Sequence, residues 1–326
     1  MSQVAGRGSQ VTRRRVRPEC VEGSHVAGNA FTCQVGCHTF AIYNQDGIVG
    51  MRERLSPRSV DVVVTSPPYN LGVKYKRYDD TLPRAKYIAW LGEWAQVVRE
   101  VLRDDGSLFL NIGSKPTDPS VPFQVLAEMQ KHFVLQNVIH WVKSIAIEKA
   151  DVGNYPGIAG NVSVGHYKPI NSARFLNDCH EYIFHLTKRG DVELDRLAIG
   201  VEYQDKSNVT RWSAARDGKR CRGNTWFVPY KTIRNRDAQR PHPATFPVKI
   251  PQMCILLHGL KRTRLVLDPF LGIGHTALAC VELGVDLVGF EIDRAYFAQA
   301  RRAIKSGASR NHPMSSLNEF HEDQHE

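Results

Sequence analysis

The chain has 326 residues, 42% of them hydrophobic and 23% charged. That length buries a sizeable core as one elaborated domain or two lobes, and no apolar run approaches the roughly 18 residues of a membrane span, so no such span is expected. A formal charge of +10 favours a polyanionic partner, nucleic acid first among them.

Residues 1–30 mix Gly, Ser, Arg and Val without a period. Arg13, Arg14, Arg15 and Arg17 stand there with no apolar segment after them, so this stretch reads as a flexible basic arm and not as a secretory signal. A strand near 39–43 leads to Asp46, a helix covers Val49–Leu55, and the apolar strand Val60–Val64 runs into Thr65-Ser66-Pro67-Pro68-Tyr69. Pro83 opens a helix at the first-turn position that proline favours, and Ile88, Leu91, Trp94, Val98, Val101 and Leu102 recur at helical spacing. Asp105-Gly106 ends that unit; strand Ser107–Ile112, helix Val121–Phe133 and strand Leu135–Val142 follow.

The periodicity then fades. Residues 144–178 are rich in Gly, Asn, Ser and Pro, and strand Glu181–Leu186 interrupts them. From Lys206 to Arg240 there are ten Lys or Arg against two acids, with Trp212, Trp226, Phe227 and Tyr230 interleaved. The alternation returns with helix Pro247–Leu260, strand Leu265–Leu267, helix His275–Leu283, strand Asp286–Phe290 and helix Arg294–Ile304, before a polar tail over 306–326. Strands alternating with helices predict an α/β fold with a mostly parallel, twisted sheet. Seven scattered cysteines suit a reducing cytoplasm. Cys33-x-x-x-Cys37-His38 has no complementary downstream pair, so no metal site is expected.

Two segments carry the chemistry. The prolines at 67 and 68 donate no backbone hydrogen bonds and fix φ, so the chain leaves its strand as a rigid corner with bare carbonyls and one flat ring. Ligands of open α/β sheets bind at such strand ends, and acceptors beside a stacking face suit a planar base with an exocyclic amino group. The second segment is Leu265–Ala279. An apolar strand ends at Asp268, Gly272 and Gly274 let the backbone turn closely, and a helix starts near His275. The next strand ends in the acid Glu291, a position from which a carboxylate binds ribose hydroxyls. The turn lacks the G-x-G-x-x-G spacing, which disfavours a nicotinamide dehydrogenase.

Asp268-Pro-Phe-Leu-Gly-Ile-Gly resembles the S-adenosylmethionine loop of DNA amino-methyltransferases, and Thr65-Ser-Pro-Pro-Tyr resembles their catalytic motif. The catalytic motif precedes the cofactor loop, as in the permuted β group. Gln45-Asp46-Gly47, Trp141-Val-Lys143, His180-Glu181-Tyr-Ile-Phe184 and His242-Pro-Ala-Thr-Phe-Pro247 also fit, and the resemblance spans about residues 40–304. It implies a Rossmann-like methyltransferase fold. Residues 31–143 would form its catalytic half, 144–240 a target-recognition region from which strand 181–186 returns to the core, and 241–305 its cofactor half. It also implies S-adenosylmethionine as cofactor, no metal, no covalent cysteine and double-stranded DNA as partner. Whether a second copy of the chain or a cognate restriction endonuclease belongs with it is not written in the sequence.

The roles follow by position. Ser66 and the carbonyl of Pro67 would take the amino protons, with Pro68 stiffening the corner and Tyr69 stacking on an extruded base. Asp268, Phe270, Gly272 and Gly274 would hold the methionine and sulfonium end, flanked by Thr65 and Pro269. Glu291 would bind the ribose, Asp46 the adenine amino group and Thr245 the methionine carboxylate. Asp46 equally suits a helix cap, and Phe270 the core. Arg211, Arg216, Lys219, Arg220 and Arg222 are candidates for DNA contact. In the family, Ser at the first motif position goes with cytosine N4 and Asp with adenine N6, so Ser66 points to cytosine, with adenine the alternative. A non-enzymatic DNA-binding protein with a degenerate methylase fold is a third reading, opposed by the intact motifs. The final proton acceptor is left open between Asp118, Glu181 and solvent.

Overall fold

The computed structural model describes residues 20–22, 28–72, 80–155, 157–165, 172–203, 218–229 and 245–309. Its centre is a ten-stranded sheet. The first three strands are β1 (Cys20–Glu22), β2 (Ala30–Val35) and β3 (His38–Tyr43), paired antiparallel. Next come helix α1 (Gly47–Arg54), β4 (Val60–Thr65), α2 (Arg84–Val101), β5 (Leu102–Ile112), α3 (Val121–Met129) and β6 (Val134–Val142). A small hairpin of β7 (Ile145–Ile147) and β8 (Val162–Val164) brackets α4 (Lys149–Val152). After β9 (His180–Thr187), β10 (Val201–Glu202) and β11 (Lys219–Arg220) pair apart from the main sheet. The chain closes with β12 (Thr225–Phe227), α5 (Lys249–His258), β13 (Leu265–Asp268), α6 (His275–Leu283), β14 (Asp286–Phe290) and α7 (Arg294–Ser309).

The strand order is β1-β2-β3-β14-β13-β4-β5-β9-β6-β12. From β3 to β5 all pairs are parallel, as is β6–β12; β9 runs antiparallel between β5 and β6. Every residue of β4 is buried, as a strand covered on both faces requires. Val62 and Val64 face a layer built from α5, α6 and α7, where Ile250, Ala277 and Phe297 are buried. Val63 faces the other layer, built from α1, α2 and α3 with Met51, Leu91, Trp94 and Val125. Leu91, Trp94, Val98 and Val101 put the apolar stripe of α2 on one side. Burying each such side chain stabilises the fold by about 1.5–3 kcal/mol.

Several expected boundaries move. The predicted basic arm contains β1, an edge strand paired with β2. Strand β5 begins at Leu102 and not at Ser107: Leu102 pairs with Val60, and an irregularity carries 103–106 past Asp61 before Ser107 pairs with Val62. Gly106 fits there because a Cβ would lie 2.9 Å from the Asp61 carbonyl, so the Asp-Gly pair marks a bulge and not a turn. Helix α3 stops at Met129, four residues short of Phe133. Helix α5 starts two residues late, at Lys249, and Gly259, with φ 114°, ends it. Helix α7 continues through Ser309 into the predicted tail.

The largest correction concerns the basic aromatic stretch. Residues 225–227 join the main sheet beside β6, and Trp226 is fully buried in the core, its indole N–H donating to the Gly223 carbonyl at 3.1 Å. Trp212, Tyr230, Arg211 and Arg216 lie outside the described residues. Trp226→Ala should cost about 3–5 kcal/mol of unfolding free energy in a denaturant titration. At the neighbouring Phe227, which is exposed, the same truncation should change stability by only about 0.5 kcal/mol.

Candidate active site

Strands β4 and β13 are parallel neighbours, Val62 opposite Val266 and Val63 opposite Leu267. Their carboxyl ends therefore open side by side, and the two motifs that end them touch. Thr65 Oγ1 donates to Asp268 Oδ1 at 2.7 Å, across 203 residues of sequence. Asp268 also accepts the Thr276 hydroxyl at 2.6 Å and the Phe270 N–H at 3.1 Å. It is only 1% exposed. Burial pushes its carboxyl up to about 6, against the pull of these three hydrogen bonds.

The turn after Asp268 needs its glycines. Gly272 and Gly274 hold φ of 56° and 92°, and a Cβ on Gly274 would stand 2.9 Å from the Ala300 backbone of α7. Glu291 grips this turn: Oε2 accepts the Gly272 N–H and Oε1 the Asp293 N–H, both at 2.7 Å. Burial, with the charges of Asp293 and Asp268 adding to it, raises Glu291 to about 7, though both N–H bonds oppose the rise.

Asp46 is an N-cap, as its alternative reading had it. Its Oδ1 accepts the N–H groups of Ile48 at 2.9 Å and Val49 at 3.0 Å. The cap still lies at the predicted cofactor site, because a Cβ on Gly47 would stand 2.5 Å from the Pro269 carbonyl. Phe270 is half-buried, 5.5 Å from Trp90 and 5.7 Å from Trp94 between ring centroids. Trp90 escaped the sequence reading because it shares the helical period of the α2 core. Thr245 precedes Phe246, whose carbonyl is 2.5 Å from His275 Nδ1 at the start of α6. Asp46, Pro269, Phe270, Gly272, Gly274 and Glu291 thus form one cradle. Backbone close to the ligand space, carboxylates for hydroxyl and amino donors, and an aromatic wall fit an adenosyl sulfonium cofactor.

Beside that cradle stands the proline corner. Its outer end is clamped: the Asp80 carboxylate accepts the N–H groups of Asn70 at 2.8 Å and Leu71 at 3.0 Å. The Tyr87 hydroxyl donates to the Pro68 carbonyl at 2.9 Å. No described group donates to the Pro67 carbonyl. Ser66 Oγ lies 2.7 Å from the Tyr69 hydroxyl, which donates to Glu181 Oε2 at 3.0 Å. Asn111 Nδ2 donates to the same two oxygens, at 2.6 Å to Tyr69 and 2.8 Å to Glu181, while its Oδ1 is buried without a partner among the described residues. Lys143 Nζ pairs with Glu181 Oε1 at 3.1 Å. Asn111 was not anticipated; its one signal is a polar residue inside the apolar run Leu108–Ile112. Asp118 is committed elsewhere, to Arg84.

The predicted DNA contacts separate. Lys219 and Arg220 stand on the outlying strand β11. Arg222 is drawn inward, its Nε donating to the Ile199 carbonyl at 3.0 Å, and burial lowers its pKa.

The strand order and the cradle at the strand ends define a Rossmann-like methyltransferase fold. A DNA methylase family model matches residues 60–302, and the chain belongs to that family. It is 24% identical over 257 residues to the type II methyltransferase M.HpaI of Haemophilus parainfluenzae, covering 78% of this chain and 71% of the relative. To the DNA adenine methyltransferase YhdJ of Escherichia coli (strain K12) it is 23% identical over 253 residues, covering 77% and 78%. The PvuII DNA methyltransferase (cytosine-N4-specific) shares the fold, with a TM-score of 0.56 and 19% identity over 85% of this chain and 88% of that one.

Glu291 gives the site a pH signature. A carboxyl raised on folding holds its proton more tightly when folded, so its contribution makes stability fall as pH rises between the two values. For Glu291 that window runs from its ordinary 4.5 to about 7. Glu291→Gln should flatten this part of the fall in a series of denaturant titrations across that window.

Proposed function

We propose that this chain methylates the exocyclic N4 amino group of a cytosine extruded from duplex DNA at a specific site. The supporting observation is the Thr65–Asp268 hydrogen bond, which sets the proline corner and the glycine turn on one opening. S-adenosylmethionine is the cofactor, and it supplies the methyl group from its sulfonium. Asp268, Phe270, Gly272 and Gly274 hold that end of it, Glu291 the ribose and Asp46 the adenine.

An exocyclic amino group is a poor nucleophile because its lone pair is delocalised into the ring. Ser66 Oγ and the Pro67 carbonyl accept its two protons and draw the nitrogen toward tetrahedral geometry. Those bonds strengthen as positive charge develops on nitrogen, so they favour the transition state over the ground state. The Tyr69 ring stacks on the base outside the duplex. The braces from Asp80 and Tyr87 hold the corner still, so nitrogen and methyl group meet at near-attack distance. The charge of +10 supports a duplex partner, which Lys219 and Arg220 on β11 would contact.

Ser66 supports cytosine because a hydroxyl at that position accompanies N4 methylation in the resembling family. Adenine N6 is the second reading, favoured by the likeness to YhdJ. Duplex DNA methylated with labelled cofactor and digested to nucleosides should yield N4-methylcytosine; N6-methyladenine alone would overturn the choice. Ser66→Ala should lower turnover about 100-fold with cofactor affinity intact. Asp268→Asn should weaken cofactor binding about 10-fold or more in calorimetry.

A further inference from the structure

Methylation leaves the target nitrogen with one proton too many. We propose that this proton leaves through Ser66 and the Tyr69 hydroxyl to Glu181, the terminal acceptor of a half-buried relay. The inference rests on the reaction proposed above.

The spacing forms a continuous chain. Ser66 Oγ to Tyr69 Oη is 2.7 Å, and Tyr69 Oη to Glu181 Oε2 is 3.0 Å. Direction follows from the carboxylate. Glu181 only accepts, so Tyr69 donates to it and Ser66 donates to Tyr69. That order turns the Ser66 lone pairs outward, where an amino group needs acceptors. Asn111 holds the line from the side, donating to both Tyr69 and Glu181. An amide takes no proton, so the acceptor is the carboxylate behind it.

The step balances. As the N–C bond forms and the cofactor's S–C bond breaks, the amino proton moves to Ser66 Oγ. The Ser66 hydroxyl proton moves to Tyr69, and the Tyr69 proton moves to Glu181 Oε2. The products are a neutral methylated amine, two intact hydroxyls and a neutral Glu181 acid. One positive charge at sulfur and one negative charge at Glu181 vanish together. The acid then yields its proton to solvent. Lys143 favours that return: burial pushes the Glu181 carboxyl up, but the ammonium and the hydrogen bonds from Asn111, Lys143 and Tyr69 outweigh it and hold the group below its ordinary range. Asp178 and His180, at the entry to β9, also act on this carboxyl electrostatically. Glu181 touches no reacting atom; it acts through the two hydroxyls as a positioning residue that also stores the proton.

The test uses the full chain with Glu181→Gln, Tyr69→Phe and the double variant. Duplexes carry 2-aminopurine at the target position to report base extrusion, and calorimetry reports cofactor affinity. Each single variant should lose about 100-fold in kcat. The KM for DNA, cofactor affinity and 2-aminopurine signal should stay within about twofold of wild type, since the relay adds nothing to binding. The double variant should be no slower than either single one, because both break the same line. Wild-type kcat in Glu181→Gln, or losses that multiply in the double variant, overturn the relay. A raised KM with a lost 2-aminopurine signal and unchanged kcat overturns it too, in favour of a merely structural Glu181. If Glu181→Gln does not fold, Tyr69→Phe decides: wild-type kcat there rejects the relay. A wild-type protein that methylates no duplex rejects the reaction itself, which separates the two failures.

Discussion

The Thr65–Asp268 hydrogen bond is the constraint on which the rest of the structure depends. It closes the strand-end gap between β4 and β13, so the corner that would receive a base and the turn that would receive a cofactor share one wall. It is buried, and Asp268 has no water to fall back on. Each of its partners is therefore needed twice, once to satisfy the carboxylate and once to hold its own segment in place. Thr276 fastens the start of α6 in this way, and the Phe270 N–H fastens the turn.

Three carboxylates in the site, Asp268 and Glu291 buried and Glu181 half-buried, differ according to the donors that meet them. Asp268 and Glu291 are met by hydroxyl and amide donors, which soften the cost of burial without cancelling it, and both are raised. Glu181 is met by an ammonium as well, and it is lowered. A full charge compensates desolvation where dipoles do not. Burial thus raises the two carboxyls beside the glycine turn, while the one beside the proline corner is lowered.

Much of this was legible in the residues. The buried parallel strands declare themselves as short apolar runs, so β4 and β14 fall within a residue of their expected bounds, and α6 matches outright. The two motifs stand out because proline restricts the backbone and glycine frees it in ways that few turns need. What stayed hidden is what long-range pairing decides. Strand β2 forms because β3 offers a free ladder, and the edge strand β1 forms on β2 in turn, which no local pattern announces. Leu102 leaves its helix because Val60 pairs with it. Trp226 reads only as one of the aromatics interleaved in the basic stretch because composition cannot tell a short strand in the core from a loop outside it. Asn111 and Lys143 meet Glu181 only through the register of β5, β9 and β6.

The placement of β6 between β9 and β12 has a consequence for how such a chain diversifies. The excursion between residues 187 and 225 leaves from one side of β6 and lands on the other. Its roots are fixed by that pairing, Thr187 opposite Val134 and Thr225 opposite His140, two ladder spacings apart across the sheet and six residues apart along it, roughly 22 Å in all. Lengthening or exchanging an excursion with fixed roots costs little entropy, on the order of 0.6 kcal/mol per doubling of length. The architecture accommodates the exchange of that excursion while the sheet beneath it stays the same.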